Sequence, residues 1–124
     1  RGICCLAPGV KALRENITIK SIVDRYLEHA RFLIFENDGN PVHFITSADW
    51  MERNLDKRIE VGAPILDPAL KKELDTIFEF QWKGSVKSRL INKNLKNVYR
   101  RTSESFHAQK ELYAFYKNLA NSNL

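Results

Sequence analysis

The segment Leu27-Glu28-His29-Ala30-Arg31 sets an imidazole and a guanidinium two residues apart. In extended backbone, side chains at i and i+2 project from one face, so His29 and Arg31 can address a single ligand together. An imidazole donates a hydrogen bond to a phosphoryl oxygen or exchanges a proton near neutral pH. A guanidinium grips the same group through two parallel donors and never loses its charge. The pair suits a phosphate. Its plainer reading is a histidine at a helix C-terminus, where the dipole favours positive charge.

Downstream, Thr46-Ser47-Ala48-Asp49-Trp50-Met51 gathers hydroxyls and a carboxylate where the chain would leave a strand, a common place for sites. In the plainer reading Ser47 and Asp49 make turn hydrogen bonds and Trp50 fills the core. The charged run Arg53 to Glu60 places Arg58 and Glu60 on one face of an extended segment. Arg58 is then either a further phosphate contact or the partner of Asp56 or Glu60.

These residues need elements to position them. Residues 2 to 6 read as a short buried strand closed by Pro8-Gly9, and Ile17-Thr18-Ile19 reads as extended. Ser21 with Asp24 three residues on resembles a capping box, and Ile22, Val23, Tyr26 and Leu27 share a helical face, so a helix is expected to end near His29. Arg31 to Phe35 and Val42 to Thr46 flank Asn37-Asp38-Gly39-Asn40, residues that tolerate positive φ, and form a hairpin. Lys57 to Val61 alternates charged and apolar residues as a half-buried strand does, with Gly62 and Pro64 closing it.

Asp67-Pro68 starts a helix with an N-cap carboxylate and a proline at the first position, and Leu70, Leu74, Ile77 and Phe78 carry its apolar stripe. Val86 to Arg101 is basic and irregular, suited to short strands or loop. Ser103 or Ser105 can cap a last helix bearing Phe106, Leu112, Tyr113, Tyr116 and Leu119. Strands interspersed with helices give an α/β or α+β chain with a small sheet covered by at least two helices.

With 124 residues and 44% hydrophobic content, one domain with its own core is expected. The opening Arg1-Gly2-Ile3 enters an apolar run at once, which reads as a fragment of a longer chain. No apolar stretch approaches the ~20 residues that span a bilayer. Cys4 and Cys5 are adjacent in a strand and point to opposite faces, so they fit a reducing cytoplasm and supply no metal framework. Twenty Lys and Arg against fifteen Asp and Glu give +5, which favours a polyanionic partner.

The ordered series Arg1-Gly2-Ile3-Cys4, Glu15-Asn16-Ile17, Ser21 to His29, Ser47 to Met51, Arg53 to Asp56 and Arg58-Ile59-Glu60 resembles the last domain of polyphosphate kinase. The likeness is dense to about residue 70 and looser beyond. It implies a single C-terminal catalytic domain over 1–124, with a phospholipase D-like mixed sheet flanked by helices. In that wider superfamily a His-x-Lys pair on a strand acts with a downstream Asp and Asn. Here His29-Ala30-Arg31 has Arg31 where the lysine would be, and Asp49 follows; without both halves of the pair the resemblance does not imply phosphodiester hydrolysis.

The family likeness implies a bacterial, cytoplasmic enzyme, free or peripheral to the membrane. ATP's γ-phosphoryl group passes reversibly, with magnesium, to a histidine of the preceding domain and then to inorganic polyphosphate. Nothing here matches that phosphohistidine segment or the magnesium ligands, so both are implied to lie in the preceding domain. By the same resemblance His29 is the second active-site histidine, facing the nucleotide phosphates of ATP and ADP with Arg1. Its further partners would be the remaining domains of the parent chain and other copies of a homo-oligomer. The competing reading is a basic module that binds nucleic acid or another polyanion without catalysis, although no RNA-binding signature is present. Lys83, Lys87, Arg89, Lys93, Lys96, Arg100 and Arg101 could line a path for polyphosphate or only form a solvated basic surface.

Overall fold

A computed structural model describes residues 6–11, 15–94 and 96–122. Arg1, Cys4, Cys5 and most of the strand expected over 2–6 lie outside the described residues. The described elements, in order, are β1 (Ile19–Ile22), β2 (Phe32–Phe35), β3 (Val42–Thr46), α1 (Glu52–Lys57), β4 (Gly62–Ile65), α2 (Pro68–Lys83), β5 (Ser88–Ile91), β6 (Asn97–Tyr99) and α3 (Ala108–Ser122). The class is α/β, as the sequence implies. The pairing divides into two three-stranded antiparallel sheets, ordered β1-β5-β6 and β2-β3-β4, where a single mixed sheet was expected.

The chain forms two compact units, one of residues 28–76 and one of residues 1–27 with 77–124, and the boundary falls within α2. In residues 28–76 the hairpin forms where its turn residues require it. Asn37, Asp38 and Gly39 all adopt positive φ, and the flanking strands pair Phe32 with Ile45 through Phe35 with Val42. Phe35 and Phe44 meet edge to face at 6.2 Å.

The strand expected at Lys57 to Val61 is displaced. Residues 52–57 instead make the short helix α1, with Glu52 in the first turn and Lys57 in the last, each placed to suit the helix dipole. The strand follows at Gly62–Ile65, pairing Phe44 with Pro64. Gly62 and Pro64 read as terminators, yet β4 lies at a sheet edge, where proline's missing N–H breaks no ladder.

Helix α2 begins as Asp67-Pro68 dictates, the Asp67 carboxylate accepting from the N–H groups of Ala69 and Leu70 at 2.8 and 3.0 Å. Beneath this helix His43 is buried, and its Nε2 donates to Asp75 Oδ1 at 2.7 Å. A polar side chain on the inner face of a strand is tolerable because that carboxylate meets it.

In the other unit the helix expected over 21–29 is absent. Ile19–Ile22 pairs with Ser88–Ile91 as β1, and 23–30 is irregular. Cross-strand pairing and tertiary partners outweigh the helical spacing. Asp24 does not close a capping box; it pairs with His107 at 3.3 Å. Tyr26 exchanges two hydrogen bonds with the Gln109 side chain, its N–H donating at 3.1 Å and its carbonyl accepting at 2.8 Å.

Lys20, on β1, reaches the C-terminal end of α2, where its ammonium donates to the carbonyls of Gln81, Trp82 and Gly84, the first at 2.6 Å. Arg100 donates to the Trp82 carbonyl as well. Cations thus satisfy the orphan carbonyls of the helix end. Burial, with the charge of Arg100, lowers the Lys20 pKa to about 8. Gly84 lets this end approach α3, since a Cβ there would sit 3.0 Å from that of Ala108.

Phe80 makes edge contacts with Phe106 and Phe115 at 5.6 and 6.0 Å, and Ile91 and Ala108 are buried in the same unit. The last helix starts at Ala108, later than Ser103 or Ser105 would place it, because the His107 carbonyl accepts from Lys110 and Glu111 and opens the first turn. Val86 to Arg101 resolves into β5 and β6, short strands as expected.

Candidate functional site

His29 and Arg31 precede β2, and Asp49 follows β3. Since β2 and β3 are hairpin neighbours, the entry of one strand and the exit of the other fall at the same end. The Thr46 N–H donates to the Arg31 carbonyl at 2.9 Å and closes that end. The juxtaposition of residues 18 positions apart is therefore set by hairpin register.

The three side chains meet. Arg31 Nε donates to Asp49 Oδ1 at 2.5 Å, and the far end of the guanidinium contacts His29 Nε2, with Nδ1 at 3.4 Å. His29 Nε2 also lies 3.5 Å from Asp49 Oδ1. The two contacts of that nitrogen belong to different protonation states. Neutral and unprotonated at Nε2, the imidazole accepts from Arg31; protonated there, it turns its N–H toward Asp49.

His29 is 67% exposed and open to a ligand, whereas Arg31 is 23% exposed and held. The hydrogen bond and charge of Arg31, with a smaller contribution from His29, hold the Asp49 carboxyl below its ordinary value of 3.8. The carboxylate orients the guanidinium and leaves its outer edge positive.

A second network braces the segment around Asp49. The Ser47 hydroxyl donates to Glu60 and accepts from the Val61 N–H at 3.0 Å, while buried Asn54 donates to the other Glu60 oxygen at 2.7 Å. These bonds from Ser47 and then Asn54 lower the Glu60 pKa, with Arg58 and Arg31 adding through charge. Ser47 thus makes more than a turn bond, and Glu60 belongs to this network instead of an ion pair with Arg58. Arg58 is exposed and forms no ion pair among the described residues. Trp50 is 80% exposed and fills no core. Arg1 lies outside the described residues.

Among the described residues no three His, Cys, Asp or Glu side chains group so as to hold a metal ion. No described helix is long and apolar enough to cross a membrane.

Residues 1–110 match the family model for polyphosphate kinase C-terminal domain 2. The chain belongs to that family. His29, Arg31, Asp49 and Arg58 all fall within the polyphosphate kinase match. The polyphosphate kinase of Vibrio parahaemolyticus is 47% identical over 121 residues, which cover 96% of this chain and 17% of that protein. The Vibrio cholerae polyphosphate kinase is 49% identical over the same shares. The chain therefore spans about a sixth of these relatives. The crystal structure of polyphosphate kinase from Porphyromonas gingivalis superposes with a TM-score of 0.91 at 41% identity, over 98% of this chain and 19% of that one.

The Arg31 to Asp49 link was not drawn from the sequence, although both residues stood out. The signal available was the hairpin itself, which brings the two flanks together once its register is set. The His43 to Asp75 pair was missed altogether. Its signal was a histidine between the apolar residues Val42 and Phe44 of a strand, with Asp75 next to Leu74 of the helix stripe.

Proposed function

We propose that this chain serves in the reversible transfer of the γ-phosphoryl group of ATP toward inorganic polyphosphate, with His29, Arg31 and Asp49 handling the nucleotide phosphates. The observation that carries this reading is the three-way contact of imidazole, guanidinium and carboxylate in a member of the polyphosphate kinase family.

Phosphoryl transfer needs positioned charge around the moving group more than covalent chemistry. Arg31, oriented by Asp49, offers donors to phosphate oxygens. His29, exposed beside it, donates a hydrogen bond and can hand its Nε2 proton to the leaving oxygen of ADP as the bond to the γ-phosphorus breaks. In the reverse direction it takes that proton back. Arg1 and Arg58 supply further phosphate contacts. The phosphohistidine that accepts the group, and magnesium, are assigned to the remaining domains of the parent enzyme. The exposed side chains of Trp50, Ile59 and Leu66 are apolar surface that those domains or another copy would cover.

The test is ATP-dependent polyphosphate synthesis, and its reversal, by the full-length protein. The wild type is expected to run both directions, and folded His29→Ala and Arg1→Ala variants to lose both. Full activity in both variants would reduce these residues to structural roles, and an inactive wild type would refute the reading altogether.

A further inference from the structure

The positive charge of this chain is not spread over it. Residues 85–103 contain six Lys and Arg and no Asp or Glu; without them, fourteen basic residues face fifteen acidic ones. The entire formal excess of +5 thus resides in one segment, the hairpin of β5 and β6 with its flanks. A charge this concentrated focuses an attractive field on one place, where a scattered surplus would not.

The hairpin's structure sorts its cations. Arg100 is spent on the Trp82 carbonyl, and the Arg89 guanidinium lies 3.3 Å from the Tyr99 ring centroid. Lys87, Lys93, Lys96 and Arg101 are exposed, and none forms an ion pair among the described residues. The turn that carries Lys93 is pinned by Asn92, whose side-chain oxygen accepts from the N–H groups of Asn94 and Lys96 at 3.1 and 3.0 Å. The display is therefore built on hydrogen-bonded backbone.

We propose that the β5–β6 hairpin is a docking site for a linear chain of phosphates, inorganic polyphosphate, held through Lys87, Lys93, Lys96 and Arg101. It deepens the function proposed above and takes the identity of its ligand from that reading. Lysines suit this ligand, because point charges on flexible stems follow repeated phosphates without fixing a register. The site does not suit a nucleic acid equally. Proteins that hold single strands stack bases on aromatic rings, and the ring of Tyr99, the aromatic residue of this hairpin, already has a guanidinium against its face.

The experiment measures the binding of long inorganic polyphosphate to the full-length protein across a range of salt, with single-stranded DNA of matched charge in parallel. Replacing the four residues together by Gln is expected to flatten the slope of log affinity against log salt by about 0.7 per lost contact, and to weaken binding at physiological salt by about tenfold or more. Replacing the three lysines by Arg should keep the wild-type slope. Lys93→Gln alone should remove about one contact's worth, a readout that survives if the quadruple variant fails to fold. An unchanged slope would overturn the proposal. So would DNA binding as tight as polyphosphate binding and lost in parallel, which would make the hairpin a nucleic-acid surface. The synthesis assay of the wild type is separate, so failure of the proposed activity and failure of this site are read independently.

Discussion

Residues 28–76 hold six Lys and Arg against ten Asp and Glu, whereas residues 1–27 and 77–124 together hold fourteen against five. The candidate phosphate site lies in the acidic unit. There Arg31 is oriented by Asp49, and the Ser47 and Asn54 bonds to Glu60 brace the segment beside it. In the basic unit Lys20 and Arg100 tie down backbone carbonyls, while Lys87, Lys93, Lys96 and Arg101 on the hairpin form no ion pair among the described residues. The difference teaches that net charge locates attraction and not chemistry. A cation fixed by a carboxylate offers geometry, while a surplus of unpaired cations offers a field.

The comparison breaks most readily at Arg31. Arg31→Ala should lower the rate of ATP-dependent polyphosphate synthesis by about 10³-fold, as expected for a guanidinium that stabilises a moving phosphoryl group. An effect below tenfold, measured on folded full-length protein, would mean that the acidic unit holds no phosphate clamp.

Asp49→Asn should cost less, about 10²-fold, because the guanidinium remains and only its aim is lost. The supporting measurement is the titration of the Asp49 carboxyl by NMR. In the wild type it should fall below 3.8, and in Arg31→Ala it should return toward 3.8. Because the folded-state pKa is lowered, the favourable contact is fully present above the ordinary carboxylate range. It is lost only as pH falls through the lowered value. The Asp49 to Arg31 contact should therefore stay intact from neutral to mildly acidic pH, and any loss of activity there must come from a group other than Asp49.

In the basic unit the same kind of change should act on stability. Lys20→Met removes the ammonium from three carbonyls and should cost about 1–3 kcal/mol, read as a shift of the urea midpoint. Asp67→Ala at the start of α2 is the smallest expected effect, about 1 kcal/mol from a lost N-cap.

Local rules made much of this legible. The Asn37 to Asn40 turn and the Asp67-Pro68 helix start are each dictated by residues adjacent in sequence, and both stand where those residues put them. The errors came where distant partners decide. Ser21 to Leu27 has the spacing of a helix, but β5 offers Ile19–Ile22 a complete ladder, His107 pairs with Asp24, and Gln109 on α3 holds Tyr26. Pro64 reads as a stop until β4 is known to be an edge. At the site, His29 and Arg31 could be paired from their spacing alone. That Asp49 joins them depends on hairpin register, and that Glu60 turns to Ser47 and Asn54 depends on a helix the alternating pattern concealed.

The most direct measurement is a double-mutant cycle on kcat/KM for ATP in the full-length protein, comparing His29→Ala, Arg31→Ala and the two combined. If imidazole and guanidinium handle one phosphate together, the double variant should be little worse than the poorer single one, because each loss already disables the shared clamp. Losses that simply add, or single variants with wild-type activity, would contradict a joint phosphate site at His29 and Arg31.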